Sequence, residues 1–157
     1  MAVRYQPEGY HTVTPYLIIK GAAAALDFYK RAFGAQVMVR MDDKDRVGHA
    51  EIKIGDSVVM LADEYPEMGH KSPATLGDSP VQLLVYVPNV DAAFEQAVKA
   101  GAKVKRPVAD QFYGDRLGGL VDPFGHLWFL ATHTEDVSPE EMKRRMAEQA
   151  AKAEAKK

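Results

Sequence analysis

Hydrophobic residues recur along the first half of the chain with the two periods that mark strands and helices. Short runs rich in β-branched residues predict four strands, at residues 13–20, 35–41, 47–54 and 57–62. Between the first two runs, Leu26, Tyr29 and Phe33 recur at spacings of three and four, which places them on one face of a helix over residues 22–33. The first half therefore predicts the order β-α-β-β-β.

The same order begins again in the second half. Strands are predicted at residues 80–88, 102–109, 116–121 and 126–132. A helix is predicted over residues 91–100, and Gly101 ends it. The sequence thus favours an α+β fold built from two βαβββ modules.

Short matching stretches support an internal duplication. Residues 34–37 (GAQV) resemble residues 101–104 (GAKV) at a shift of 67 positions. Residues 57–61 (SVVML) resemble residues 126–130 (HLWFL) at a shift of 69 positions. Two matches with the same element order indicate that one unit was copied.

The predicted elements divide the chain into four parts. These are a first module at residues 12–64, a connector at 65–79, a second module at 80–133 and a C-terminal helical tail at 138–157. The connector is rich in Pro, Gly, Ser and charged residues, and we expect no regular element in it. In the tail, Ser138-Pro139-Glu140-Glu141 is a capping pattern that predicts the start of a helix. We expect this helix to face solvent, with an oligomer contact as the alternative.

Composition excludes several kinds of site. The 157 residues include no cysteine, so disulfides, thiolate catalysis and cysteine-bound metals are excluded. A net charge of -2 gives no electrostatic basis for binding nucleic acid or an anionic membrane. No segment approaches the roughly 20 apolar residues that span a bilayer, and the N-terminus does not read as a signal peptide. We expect a cytoplasmic protein whose partner is a small molecule.

Three stretches carry a resemblance to a known family: TPYLIIKGAAAALDFYKRAFGA, GHAEIKIGDSVVMLADE and DQFYGDRLGGLVDPFGHLW. Over about residues 12–135 the chain resembles the vicinal-oxygen-chelate superfamily of glyoxalases, bleomycin-resistance proteins and extradiol dioxygenases, and within it the PhnB-like group. The resemblance implies curved mixed sheets whose helices cover the convex side and whose concave sides form a ligand cleft. It also implies a homodimer, which exposed strand edges would favour physically.

Metal-dependent members of that superfamily take His, Glu or Gln ligands from the first and last strands of each module. The shared motifs place Thr14, Met60, Gln82 and Phe129 at those positions. Methionine and phenylalanine side chains offer no oxygen or nitrogen to a divalent ion, and threonine is a poor donor. We therefore expect no metal and no other cofactor.

Alternation along one predicted strand separates a helix-facing set from a cleft-facing set. Ala50, Ile52 and Ile54 form the apolar face, which turns His49 and Glu51 toward the cleft. His49 is the candidate general base and Glu51 the candidate orienting group. The alternatives are a solvated pair or the start of an unusual metal site.

The segment DQFYGDR is more polar than a hairpin strand requires. Arg116 is a candidate catalytic anion clamp, and Tyr113 and Asp115 are candidate ligand contacts. The alternative is a turn held by a contact between Asp115 and Arg116.

Five further residues are expected to line the cleft: Tyr16, Met60, Gln82, Tyr86 and Phe129. Met60 and Phe129 would form an apolar floor for a planar ligand, although ordinary core packing is the alternative. His133 and the other remaining histidines fall in predicted loops, turns or edges and are not assigned to the site.

These observations leave three functions open. The first is a metal-free small-molecule binder that resembles drug-sequestering bleomycin-resistance proteins. The second is a metal-independent acid–base enzyme acting on a small oxygenated substrate. The third is a divalent-metal-dependent lyase or dioxygenase, which the residues at the four metal positions oppose.

Overall fold

The computed structural model describes residues 3–155 and contains two four-stranded mixed sheets. The first sheet consists of β1 (Tyr16–Ile19), β2 (Gln36–Asp43), β3 (Arg46–Ile54) and β4 (Ser57–Asp63). The second consists of β5 (Gln82–Tyr86), β6 (Lys103–Asp110), β7 (Asp115–Val121) and β8 (Leu127–His133). The strand orders are β1-β4-β3-β2 and β5-β8-β7-β6, and in each sheet the first and last strands pair in parallel. This repeated topology confirms the two predicted modules.

The α-helices are α1 (Ala22–Phe33), α2 (Pro73–Leu76), α3 (Val90–Ala100) and α4 (Pro139–Glu154). Helix α1 follows β1 and α3 follows β5, which completes the βαβββ order of each module. Helix α4 begins as predicted, and the Ser138 hydroxyl caps it by accepting from the Glu141 N–H. In residues 3–155, no helix has both the length and the apolar character needed to cross a membrane.

The connector is more ordered than its composition indicates. It holds a 3-10 turn at Pro66–Met68 as well as α2, and each begins with a proline at a helix start. The Glu64 carboxylate accepts from the Ser72 N–H (2.9 Å), the Ser72 hydroxyl (2.7 Å) and the Thr75 hydroxyl (2.9 Å). These donors lower the pKa of Glu64 to about 2. The prediction that the connector holds no regular element was therefore wrong. The three hydrogen bonds to Glu64 also hold the connector against the end of β4.

The two modules share an aromatic core between α1 and β8. The rings of Phe33 and Trp128 are 4.7 Å apart between centroids, and those of Tyr29 and Trp128 are 5.4 Å apart. Tyr29 and Trp128 are almost fully buried. Because Trp128 belongs to the second module, each module completes the core of the other.

A buried carboxylate lies at the centre of this core. Asp122 is 3% exposed, and its oxygens accept from the Tyr29 hydroxyl (2.7 Å) and the Trp128 indole N–H (2.9 Å). The backbone N–H groups of Phe124 and His126 donate to it as well, each at 2.9 Å. Burial, with the nearby Asp122 charge, holds the pKa of Tyr29 well above its usual value, so the phenol remains a donor.

Each sheet has one face covered by its helix and one face with more exposed side chains. In β3, Ala50, Ile52 and Ile54 are buried, whereas His49 and Glu51 are half-buried on the other face. This alternation is the one predicted from the sequence. His49 and Glu51, two of the candidate functional residues, thus lie on the less covered face of the first sheet.

Candidate functional site

The first cluster of polar groups lies on the less covered face of the first sheet. Strand pairing places Tyr16 beside Met60, and Met60 beside Glu51, so these three residues form one row across β1, β4 and β3. His49 precedes Glu51 by two residues and shares its face. The sheet thus brings together four residues that sequence reasoning placed in the cleft.

Hydrogen bonds link the first cluster into a chain. Tyr16 Oη lies 2.9 Å from His49 Nδ1, and His49 Nε2 lies 3.1 Å from Glu51 Oε1. The Tyr10 hydroxyl donates to the other Glu51 oxygen. Donation from Tyr10 and His49 lowers the pKa of Glu51, while partial burial and the Glu51 charge raise the pKa of Tyr16. The first cluster is therefore Tyr10, Glu51, His49 and Tyr16.

Tyr10 belongs to an N-terminal arm, residues 3–12, that lies over the first cluster. Arm and sheet line a shallow pocket of about 360 Å³ whose lining includes Tyr10, Thr14, Glu51 and Met60. Sequence reasoning missed Tyr10, since the arm has no hydrophobic period and lies outside the family resemblance. No local signal indicates its contact with Glu51, which is 41 positions away.

A second cluster lies on the second sheet and is centred on Asp115, which is 5% exposed. One Asp115 oxygen accepts from the Tyr86 hydroxyl at 2.9 Å, and the other lies 2.7 Å from His133 Nδ1. His133 Nε2 lies 3.0 Å from an Asp136 oxygen. The second cluster is therefore Tyr86, Asp115, His133 and Asp136. His133, unassigned in the sequence analysis, bridges two carboxylates.

Stability should depend on the charge of His133. Asp115 and Asp136 raise the pKa of His133 above its ordinary value of 6.5. A raised folded-state pKa stabilises the fold fully below the unfolded value, and this contribution is lost as the pH rises through the folded value. We expect His133→Gln to reduce the free energy of unfolding more at about pH 6 than at about pH 9. Urea unfolding of both proteins at the two pH values measures this, and an equal loss at both would contradict it.

Arg116 does not lie on the cleft face, where a clamp for an anionic ligand would have to be. Its guanidinium is 2.8 Å from each of two Asp91 oxygens and 3.1 Å from Asp110. Asp91 lies on α3, so Arg116 projects from the helix-covered face of β7, opposite to Asp115. The alternative expected from the sequence was a turn contact between Asp115 and Arg116. In the structure Asp115 instead bonds to Tyr86 and His133. The structure therefore does not bring Arg116 together with His49.

The remaining predicted ligand contacts lie on or next to the second sheet. Gln82 is exposed at the start of β5, and Phe129 is half-buried and paired with Leu84. Gly119 makes room for the Phe129 ring, because a Cβ at that position would lie 2.8 Å from it. Tyr113 is half-buried and packs edge-on against Phe112 with centroids 5.3 Å apart.

The residues at the family's metal positions do not fit a metal ion. Thr14 donates its hydroxyl to the His11 carbonyl at 3.1 Å, and Met60 and Phe129 carry no hard donor. Within residues 3–155, no group of three His, Asp or Glu side chains is arranged to hold an ion. His49 and Glu51 are only two such ligands, and they bond to each other.

A further cavity is an apolar crevice between the modules. Its volume is about 760 Å³, and its lining includes Phe33, Val59, Leu83, Tyr86 and Trp128. Apolar cavities with a few polar groups are common ligand sites. Tyr86 of the second cluster is among the residues that line this crevice.

Comparison with known proteins agrees with this architecture. An uncharacterized protein of Mycobacterium bovis is 39% identical over 153 residues, covering 95% of this chain and 98% of its own. TioX from Micromonospora sp. ML1 has a similar structure, with a TM-score of 0.62 and 26% identity over 78% of this chain and 98% of TioX. The fosfomycin resistance protein FosX from Mesorhizobium loti shares the fold, with a TM-score of 0.58 and 17% identity over 79% of this chain and 92% of FosX. The model of the Glyoxalase/Bleomycin resistance protein/Dioxygenase superfamily matches residues 10–130, and the chain belongs to this superfamily.

Proposed function

We propose that this protein binds a small organic molecule without a metal ion, in the manner of a bleomycin-resistance protein. The observation that carries the proposal is the first cluster, in which Tyr16, His49 and Glu51 are linked by hydrogen bonds on an accessible sheet face. Tyr16 is 47% exposed, so a ligand can contact this residue. The three stretches noted in the sequence support placing the chain in the PhnB-like group.

Donor chemistry supports metal-independent binding. A divalent ion needs several oxygen, nitrogen or thiolate donors around one point, and the four family positions supply only Gln82 as a good one. Elemental analysis of the purified protein should find zinc, nickel, iron and manganese well below one equivalent. One equivalent of any of them, lost in His49→Ala, would contradict the proposal.

A thermal-shift screen tests the ligand site. The probes are planar glycopeptide drugs and small oxo-acids, assayed with the wild type, His49→Ala and Arg116→Ala. We expect a probe that raises the melting temperature of the wild type and of Arg116→Ala, but not of His49→Ala. Arg116→Ala is the matched control, because Arg116 bonds to α3 on the opposite face of its sheet. A shift that survives His49→Ala would exclude the first cluster as the site.

A metal-independent acid–base enzyme is the second candidate. The hydrogen-bonded order Tyr16–His49–Glu51 favours it, because an imidazole held between a hydroxyl and a carboxylate is a common arrangement for proton transfer. Consumption of a screened oxo-acid by the wild type, abolished in His49→Ala, would identify an enzyme rather than a binder.

A homodimer is part of the proposal, because a single chain exposes aromatic and apolar side chains to solvent. Tyr86 is 62% exposed and Leu84 is 47% exposed on β5, an edge strand of its sheet. Exposed apolar edge strands commonly pair with or pack against another chain. Sedimentation of the sample used for elemental analysis should give the mass of two chains, whereas a monomer would remove this part of the proposal.

A further inference from the structure

We propose that Tyr16, rather than His49, is the reactive group of the first cluster: its phenol gives its proton to His49 while Glu51 holds the imidazole. The inference rests on the proposed function, because it concerns the same sheet face. It also assigns the chemistry of that face to a residue for which the sequence suggested only ligand contact. The compounds concerned carry an activated carbonyl or another electrophilic centre that a phenol oxygen can attack.

The hydrogen bonds of the imidazole carry the argument. Both ring nitrogens of His49 are engaged, Nδ1 by Tyr16 Oη at 2.9 Å and Nε2 by Glu51 Oε1 at 3.1 Å. A ligand therefore finds no free nitrogen on His49. The His49 side chain is 22% exposed, whereas Tyr16 is 47% exposed. Of these two residues, Tyr16 is therefore the more exposed.

Glu51 sets the direction of proton transfer. Each of its carboxylate oxygens has one partner, Tyr10 on one side and His49 on the other. An ionised carboxylate only accepts, so neutral His49 carries its hydrogen on Nε2 and presents the Nδ1 lone pair to Tyr16. Burial and the Glu51 charge raise the pKa of Tyr16, which keeps the phenol protonated until His49 takes the proton. Glu51 is thus a positioning residue.

The second cluster provides an internal comparison. Tyr86 occupies the matching first strand of its module, but its hydroxyl donates to Asp115, 2.9 Å away, rather than to an imidazole. Carboxylates are weaker bases than imidazoles, so Asp115 is a poorer acceptor for the phenol proton. Tyr86 is also the more exposed residue, at 62%. The higher exposure of Tyr86 would favour its own reaction, so a preference for Tyr16 would point to the base beside Tyr16.

We call the proton transfer from Tyr16 to His49, with Glu51 holding the imidazole, the relay. Acetylation by p-nitrophenyl acetate tests the relay without knowledge of the natural ligand. In the expected step, Tyr16 Oη attacks the acetyl carbonyl and forms an ester bond. The bond to the leaving oxygen breaks, p-nitrophenolate departs with the bonding electron pair, and the phenol proton passes to His49 Nδ1. Peptide mapping by mass spectrometry gives the acetylation rates of Tyr16 and Tyr86 in the same sample.

We expect Tyr16 to react faster than Tyr86, and His49→Gln to slow Tyr16 at least about tenfold while Tyr86 is unchanged, because general bases contribute roughly 10²–10⁴-fold. The pH profile of the rate at Tyr16 should differ between the wild type and His49→Gln, because the substitution removes the base that takes the phenol proton. Glu51→Gln should lower the rate at Tyr16, and Tyr16→Phe should remove that site. Circular dichroism and melting temperature exclude variants that do not fold.

Two results would overturn the proposal: equal rates at Tyr16 and Tyr86, or an acetyl group found on His49 instead of Tyr16. Selective acetylation without any His49-dependent thermal shift would uphold the relay and count against the binding function. A His49-dependent shift without selective acetylation would leave the binding function and remove the relay. The two proposals can therefore fail separately.

Discussion

Replacement of Asp122 by alanine is expected to lower the free energy of unfolding by about 3–5 kcal/mol, a large part of the roughly 5–15 kcal/mol that stabilises a typical domain. Asp122 accepts from Tyr29, Trp128 and two backbone N–H groups at 2.7–2.9 Å while being 3% exposed. Removing the carboxylate leaves these buried donors without a partner, and each unmet donor costs about 1–3 kcal/mol. Urea unfolding measures the difference.

Two further variants provide reference values for this loss of unfolding free energy. Tyr29→Phe removes one donor but leaves Asp122 with its other three, so its cost should be about 1 kcal/mol. Asp45→Ala changes an exposed carboxylate in the turn between β2 and β3 and should cost less than about 0.5 kcal/mol. A loss for Asp122→Ala no larger than that for Tyr29→Phe would show that Asp122 does not join the modules energetically.

The element order could be predicted from the sequence because it depends on local periods. The helix of the first module was placed from Leu26, Tyr29 and Phe33, and the structure has it at Ala22–Phe33. The faces of β3 followed from alternation at Ala50, Ile52 and Ile54. Burial of one face of each element imposes these periods directly, so they can be recognised in the sequence without knowledge of the tertiary fold.

The partners of polar side chains could not be predicted in the same way. Tyr10 reaches Glu51 and Tyr86 reaches Asp115 across 41 and 29 positions, and no local pattern encodes such pairs. Arg116 had a carboxylate beside it in sequence, yet it bonds to Asp91, because neighbours in a strand point to opposite faces. Alternation indicates which face a side chain occupies, whereas its partner depends on sheet register and on the loops beyond.

Replacement of Gly114 by alanine is expected to cost about 2–4 kcal/mol and to displace the second cluster. Gly114 has φ +98°, where a side chain is strained, and a Cβ there would lie 2.0 Å from the Glu135 carbonyl oxygen. That contact is too short for any alanine, so the backbone must move. The Gly114 carbonyl also accepts from the N–H groups of Thr134 and Glu135 at 2.9 and 3.0 Å, which ties the loop to the segment after β8.

Gly77→Ala separates strain from steric overlap. Gly77 has a similar φ of +89°, but a Cβ there would meet nothing within 4 Å, so its loss should be only about 1–2 kcal/mol. Because Asp115 follows Gly114 directly, moving the loop should break the 2.7 Å contact between Asp115 and His133. The His133 imidazole would then titrate at lower pH in Gly114→Ala, as seen by NMR, and remain unchanged in Gly77→Ala. Equal stability losses in the two variants, with no change at His133, would mean that the overlap with Glu135 is relieved without moving the site.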